Sequence, residues 1–373
     1  MKKLNAIPLA TMTLLAGTAQ AQTSVTMYGV VDVAVRYSTN QGPTGDDSLT
    51  SVNSGGTAPS RLGWNISEDL GGGLKAIANM EHRFQADSGI VDAPGTVFFQ
   101  QSWVGLQDDT WGRVTLGRQY NVMFDVTAQT FVSFKTISPL LNSYKPEGAM
   151  VLGARNDNQL KYALNLGPVT LEAQYSADEG SFSGTAGRSV GGMAKYTSGP
   201  IALGAGYIER KDDEGRKAQG YIAGVAYQGG PLYLNAFYAR NTFDDGLNTA
   251  LLLVGTGIDN IVAGSRPGQS PTRVDNRSMW SLGGTYSFTT ALTLGAQYWH
   301  IDQQYHTPGA PDAKGDFSAL LADYALSKRT SVYAALEYTH LDDLQLTNSK
   351  VTPAVPNGAT NRTAYMAGIR HRF

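Results

Sequence analysis

Pro200-Ile-Ala-Leu-Gly-Ala-Gly-Tyr207 places Ile201, Leu203, Ala205 and Tyr207 on one face and Ala202, Gly204 and Gly206 on the other. Side chains of an extended chain point alternately to the two faces of a sheet, so a period of two reads as a β-strand. The pattern recurs along the chain. Val169, Leu171, Ala173 and Tyr175 alternate with Thr170, Glu172, Gln174 and Ser176; Leu292, Leu294, Ala296 and Tyr298 with Thr293, Gln297 and Trp299; Val332, Ala334, Leu336 and Tyr338 with Ser331, Glu337 and Thr339. Each apolar face ends in a tyrosine. A soluble sandwich would bury such a face in a core. A strand facing lipid needs apolar atoms at mid-membrane and an amphipathic ring at the headgroup level. Tyr175, Tyr207, Tyr238, Tyr298 and Tyr338 would form one such girdle.

The turns repeat as well. Gly167-Pro168, Gly199-Pro200 and Gly230-Pro231 each open an alternating segment, 32 and then 31 residues apart. Proline suits a strand's first position, where its missing N–H costs the ladder nothing. That spacing holds two strands, a tight turn and a loop, which describes a meander with one short end and one long end. The expectation is an all-β, transmembrane antiparallel β-barrel of sixteen strands, near 24–37, 59–67, 73–86, 96–107, 112–119, 157–166, 168–176, 189–198, 200–210, 217–228, 231–241, 277–288, 291–303, 315–326, 330–342 and 361–373. Long connections fall near 38–58, 120–156, 242–276 and 343–360.

The chain ends agree with export to an outer membrane. Lys2 and Lys3 precede a modest apolar stretch, Leu4 to Ala16, too short to span a bilayer, and Ala19-Gln20-Ala21 fits a small-x-small cleavage site. Residues 1–21 therefore read as a signal peptide and 22–373 as one barrel domain starting at Gln22. At the other end Tyr365, Ala367, Ile369, His371 and the final Phe373 share a face, and Arg370 and Arg372 the other. Such a strand would close the barrel against the first one, with Phe373 as the assembly residue at the lipid boundary.

Composition narrows the chemistry. The chain has 43 Gly and 19 Tyr, no Cys and a formal charge of −2, which becomes −4 without the leader. Absent cysteine removes disulfides, thiolate metal sites and thiol nucleophiles, and the charge balance does not suggest nucleic acid. Mean hydropathy is only −0.22, as expected when lipid-facing and lumen-facing residues alternate. The five histidines make no His-Glu-x-x-His pattern, and no catalytic residue, metal or cofactor is expected.

Several stretches resemble the Gram-negative general porins, specifically the trimeric kind of beta-proteobacteria. They are Val25-Thr-Met-Tyr-Gly-Val-Val-Asp32, Ser60-Arg-Leu-Gly63, Glu68-Asp-Leu-Gly-Gly-Gly-Leu-Lys-Ala76, Trp103-Val-Gly-Leu106, Val114-Thr-Leu-Gly-Arg-Gln119, Ala322-Asp-Tyr-Ala-Leu-Ser-Lys-Arg-Thr330 and Gly368-Ile-Arg-His-Arg-Phe373. The resemblance implies a homotrimer in the outer membrane, among phospholipid and lipopolysaccharide. It also implies a long third loop folded into the lumen, and a water-filled channel for small hydrophilic solutes and ions. The alternative is a channel specific for organic acids or sugars; a sugar slide would use the inward aromatics Tyr28, Trp103, Tyr233, Phe237 and Trp299.

A diffusion channel needs a charged narrow point, where an excess of one sign sets ion preference. Alternation turns Asp32 and Arg36 of the first strand inward, and likewise Lys75, Asn79, Glu81 and Arg83. By resemblance Arg61, Arg118 and Arg155 belong to a basic cluster on the wall. Arg118 breaks the alternation of Val114 and Leu116 unless the chain bends at Gly117. The segment 120–156 supplies the acids Asp125 and Glu147 and the bases Lys135 and Lys145. Basic groups outnumber acidic ones, so the expected preference is for anions.

Overall fold

The computed structural model describes residues 23–92, 99–131, 146–177, 188–247, 274–343, 346–348 and 355–373. The expected leader and start at Gln22 lie outside these residues, as do Lys135, Lys145 and most of the 242–276 connection.

Four strands open the chain: β1 (Thr23–Gln41), β2 (Asp47–Ser54), β3 (Arg61–Gly71) and β4 (Leu74–Arg83). β5 (Phe99–Asp108) and β6 (Gly112–Tyr120) lead into the third loop. The wall resumes with β7 (Arg155–Leu166), β8 (Val169–Ser176), β9 (Ser189–Ser198), β10 (Ile201–Lys211), β11 (Lys217–Gly229) and β12 (Leu232–Phe243). It ends with β13 (Val274–Ser287), β14 (Leu292–Tyr305), β15 (Ala313–Ala325) and β16 (Thr330–Asp342), a two-residue pair β17 (Thr347–Asn348) and β18 (Val355–Pro356), and β19 (Asn361–Arg372).

Each wall strand pairs antiparallel with its chain neighbour, and β1 pairs with β19 from Val30↔Arg372 to Ser38↔Ala364. Closure leaves no edge with unsatisfied backbone groups in lipid. β2 and β3 occupy one position: β2 pairs with the second half of β1 and β3 with the first. Among the described residues the barrel therefore has sixteen staves. The connection expected at 38–58 is corrected here: a tight turn after Gln41 leads into β2, and residues 55–60 interrupt the stave.

The faces follow the alternation. Tyr175, Tyr238 and Tyr338 are exposed on the outside near the long-loop end. A second ring sits at the short-turn end: Tyr196, Tyr227, Tyr286, Tyr324 and Phe373. Tyr221 and Tyr227 of β11 belong to the two rings and are six residues apart, roughly 20 Å along a strand. That matches an apolar band of about 25 Å between aromatic girdles.

The small face of residues 200–207 seats the third loop. After β6 the chain turns into a short helix α1 (Val122–Val126), then a π-helical turn Thr127–Phe131. A Cβ on Gly204 would stand 2.6 Å from the Thr130 hydroxyl and 2.9 Å from Val126; one on Gly206 would stand 2.9 Å from Val126, and one on Gly191 2.9 Å from Val122. Glycine is required wherever another segment approaches this closely. Val122, Met123, Val126 and Phe131 are buried there with Met193, Ile208 and Ile222 of the wall. The Asn121 side chain caps α1 by accepting from Phe124 N at 2.8 Å, and it donates to the Val151 carbonyl at 2.9 Å, tying the two ends of the loop together.

Candidate functional site

The wall beside the third loop carries a row of guanidinium groups. Arg61 and Arg83 are opposite one another across β3 and β4. Glu81, two residues before Arg83 and on the same face, lies between them: its carboxylate is 3.4 Å from Arg61 Nε and 3.2 Å from Arg83 Nε. The Tyr28 hydroxyl donates to Glu81 at 3.2 Å and accepts from Asn79 at 3.0 Å. Gly63 makes this possible, since a Cβ there would meet the Tyr28 ring at 2.4 Å.

From Arg83 the row continues through Tyr120. Arg83 Nη2 donates to the Tyr120 hydroxyl at 2.6 Å, and Arg155 Nη2 donates to the same oxygen at 2.8 Å. The Arg155 guanidinium lies 4.4 Å from the centre of the Tyr120 ring, close enough for a cation–π contact. Phe124 of α1 stacks on Tyr120 with centroids 3.9 Å apart. Arg61 and Arg83 thus share the carboxylate of Glu81, and Arg155 joins them through the Tyr120 hydroxyl. The buried Arg210 donates to the Arg155 carbonyl at 3.3 Å and also to the Asn156 side chain.

The other predicted site residues have different surroundings. Arg118 pairs with Asp157. The bend its placement called for is present: Gly117 takes φ +128, and the β6–β7 register shifts between Gly117 and Gln119. Arg36 forms an ion pair with Glu337 at 2.7 Å. Asp125 does not touch the arginine row; its carboxylate is 2.5 Å from Lys161 Nζ, which also lies 3.9 Å from Glu172. Glu147 is buried in the 3-10 turn Pro146–Met150.

Sequence reasoning did not single out Tyr120, Lys161, Glu172 or Arg210. For the last three the inward face of an alternating strand was the available signal. Tyr120 stands at the end of β6 after the irregular Gly117, where alternation no longer reports direction.

Two of the five inward aromatics hold the loop. Tyr233 donates to the Phe131 carbonyl at 2.6 Å, and Phe237 packs on Phe131 with ring centroids 5.4 Å apart. Tyr28 is engaged by Glu81, as above. One motif runs against the expectation of no catalytic pattern: Gly187-Arg188-Ser189-Val190-Gly191 has the spacing of a nucleophile elbow. Ser189 instead opens β9 in a wall hairpin. Its hydroxyl accepts from Asn156 at 2.5 Å and Gln174 at 3.2 Å, so the elbow's strand–turn–helix context is not there.

The sequence profile of Gram-negative porins matches residues 9–344. The chain is a Gram-negative porin. This porin is 30% identical to outer membrane porin protein 32 of Delftia acidovorans over 96% of both chains, and 27% identical to an outer membrane porin protein of Bordetella pertussis over 96% of both. Its fold is similar to that of the anion-selective porin from Comamonas acidovorans, with a TM-score of 0.72 and 26% identity, over 94% of this chain and 100% of the other. The porin is an outer-membrane β-barrel, and its family and fold are those of a channel.

Proposed function

We propose that this porin passes small hydrophilic solutes and ions by diffusion with a modest preference for anions, and that it works as a homotrimer. The observation that carries the selectivity is the row Arg61, Arg83 and Arg155, in which the Glu81 carboxylate pairs with the first two and the Tyr120 hydroxyl links the last two. A narrow passage with low-dielectric walls focuses the field of such groups on the permeating ion. The formal charge of the whole chain is negative, but charges farther than about 8–10 Å are screened at ordinary salt, so the local excess decides. The anion selectivity of the Comamonas protein supports the same sign. A sugar slide has less support, because Tyr233 and Phe237 are occupied with the third loop.

Planar-bilayer recording tests the proposal. The expected wild-type current is ohmic, closes in three equal steps, and reverses on the anion side in a KCl gradient. Replacing Arg61 and Arg155 together by Ala should move the reversal potential toward cations, less so near 1 M salt, where the screening length falls to about 3 Å. Cation selectivity in the wild type, or an unmoved potential in the double variant, would refute the assignment. Saturable current blocked by one organic acid or sugar would favour a specific channel.

A further inference from the structure

We propose that Tyr120 is a positioning residue for selectivity: its hydroxyl fastens Arg83 and Arg155 together so that the two guanidiniums act on a passing anion as one unit. The inference rests on the anion preference proposed above. Arg83 comes from β4 and Arg155 from β7, with two strands between them, and neither reaches the other through the backbone ladder. Their nearest shared atom is the Tyr120 oxygen, at 2.6 and 2.8 Å. Two cations whose donor nitrogens converge on one oxygen are well inside the roughly 8–10 Å range of unscreened repulsion. Without that oxygen Arg83 would keep its contact with Glu81, and repulsion would move Arg155 away from it.

A phenol oxygen has two lone pairs and accepts both donors without adding a charge. A carboxylate at the same point would hold the arginines equally well but would cancel half of their charge. The tyrosine keeps both charges available. Its ring is held in turn. Phe124 stacks on it from the loop, and its backbone carbonyl accepts from Lys161 at 3.0 Å and from Gln159 at 3.2 Å. The position of the oxygen is therefore set by the barrel wall and the loop root together, and the pair of arginines inherits it.

Tyr120→Phe isolates the effect. It keeps the ring, the Phe124 stack, the cation–π contact and every formal charge, and removes only the shared acceptor. The expected result is an anion-to-cation permeability ratio about twofold lower, at nearly unchanged single-channel conductance. In the Tyr120→Phe background, Arg155→Ala should produce about half the reversal shift it produces in wild type, because the arginines are already uncoupled. Tyr233→Phe controls for a loosened loop, since it removes another loop-facing hydroxyl away from the arginines. A looser loop would raise conductance and current noise in both variants alike.

Three results separate the possibilities. A lowered ratio in Tyr120→Phe alone, with the shrunken Arg155→Ala effect, supports the inference. An anion-selective wild type whose Tyr120→Phe variant keeps the same ratio and full additivity overturns the inference and leaves the proposed function standing. A wild type without anion preference overturns the proposed function, and the inference with it.

Discussion

Asp32 carries a charge that does not face the pore water. Its side chain is buried, and its carboxylate accepts from Gly56 N at 3.2 Å, Thr57 N at 3.0 Å, Ala58 N at 2.9 Å, and the Thr57 and Tyr333 hydroxyls at 2.5 Å each. These bonds pin the interruption between β2 and β3 against the inner wall, immediately before Arg61. Hydrogen bonds to a charged group are worth about 1.5–3 kcal/mol each, and a buried donor left unsatisfied costs about 1–3 kcal/mol. Asp32→Ala should therefore destabilise the barrel by about 3 kcal/mol or more, with Asp32→Asn intermediate because one carbonyl oxygen remains. Urea titration of the folded protein in detergent measures this; wild-type midpoints in both variants would show that the carboxylate holds nothing. Alternation put Asp32 correctly on the inner face. It had no means of showing that five donors from a distant turn and from β16 converge there, because that depends on a break in the stave rather than on its period.

At the scale of elements, the root of the third loop is held by one ammonium shared between two carboxylates. Lys161 Nζ lies 2.5 Å from Asp125 of α1 and 3.9 Å from Glu172 of β8, and Gln129 donates to Glu172 at 3.3 Å. The side chains of Lys161 and Glu172 are only 7% and 3% exposed. Removing one partner of a buried pair strands the other charges, at a cost of about 3–5 kcal/mol. Lys161→Met should accordingly loosen the loop. The expected signature is greater open-channel noise and faster loop proteolysis, with the barrel still folded; a quiet, protease-resistant variant would count against this tether.

The same elements show where sequence reading stops. Strands with alternating faces and Gly-Pro turns were legible because period and punctuation are local properties. β2 was not: Asp47–Ser54 carries only Leu49 and Val52 as apolar residues, on opposite faces, so it has no alternation to detect. Asp125 was expected to oppose the arginines and instead meets Lys161, because no periodicity fixes a loop's path. The small face of residues 200–207 was visible from the start, but its purpose as the seat of α1 needed the packed structure.

For the whole molecule the decisive junction is β1 with β19. Phe373 continues the ladder past Arg372: its N–H donates to the Gly29 carbonyl at 3.1 Å, and its carbonyl accepts from Gly29 N at 3.0 Å. Its ring covers Gly29, where a Cβ would stand 2.2 Å from the ring carbon Cζ. Deleting Phe373 removes two ladder bonds and part of the short-turn girdle while leaving the lumen untouched. The expected outcome is a lower yield of heat-modifiable folded barrel, with wild-type conductance in the pores that do form. Equal yields with and without Phe373 would remove it from assembly.

That junction also fixes an order of events. The residues that meet at Gly29 and Phe373 are separated by nearly the whole chain, and contacts so distant in sequence form late because a long loop must close before they are rewarded. The first strand emerges during synthesis long before β19 exists, and it must stay unpaired on one side until β19 is made. An exported copy that stops early is a curled sheet with two open edges, each able to template pairing with another chain. Pairing of Phe373 with Gly29 is thus the step that removes both edges at once.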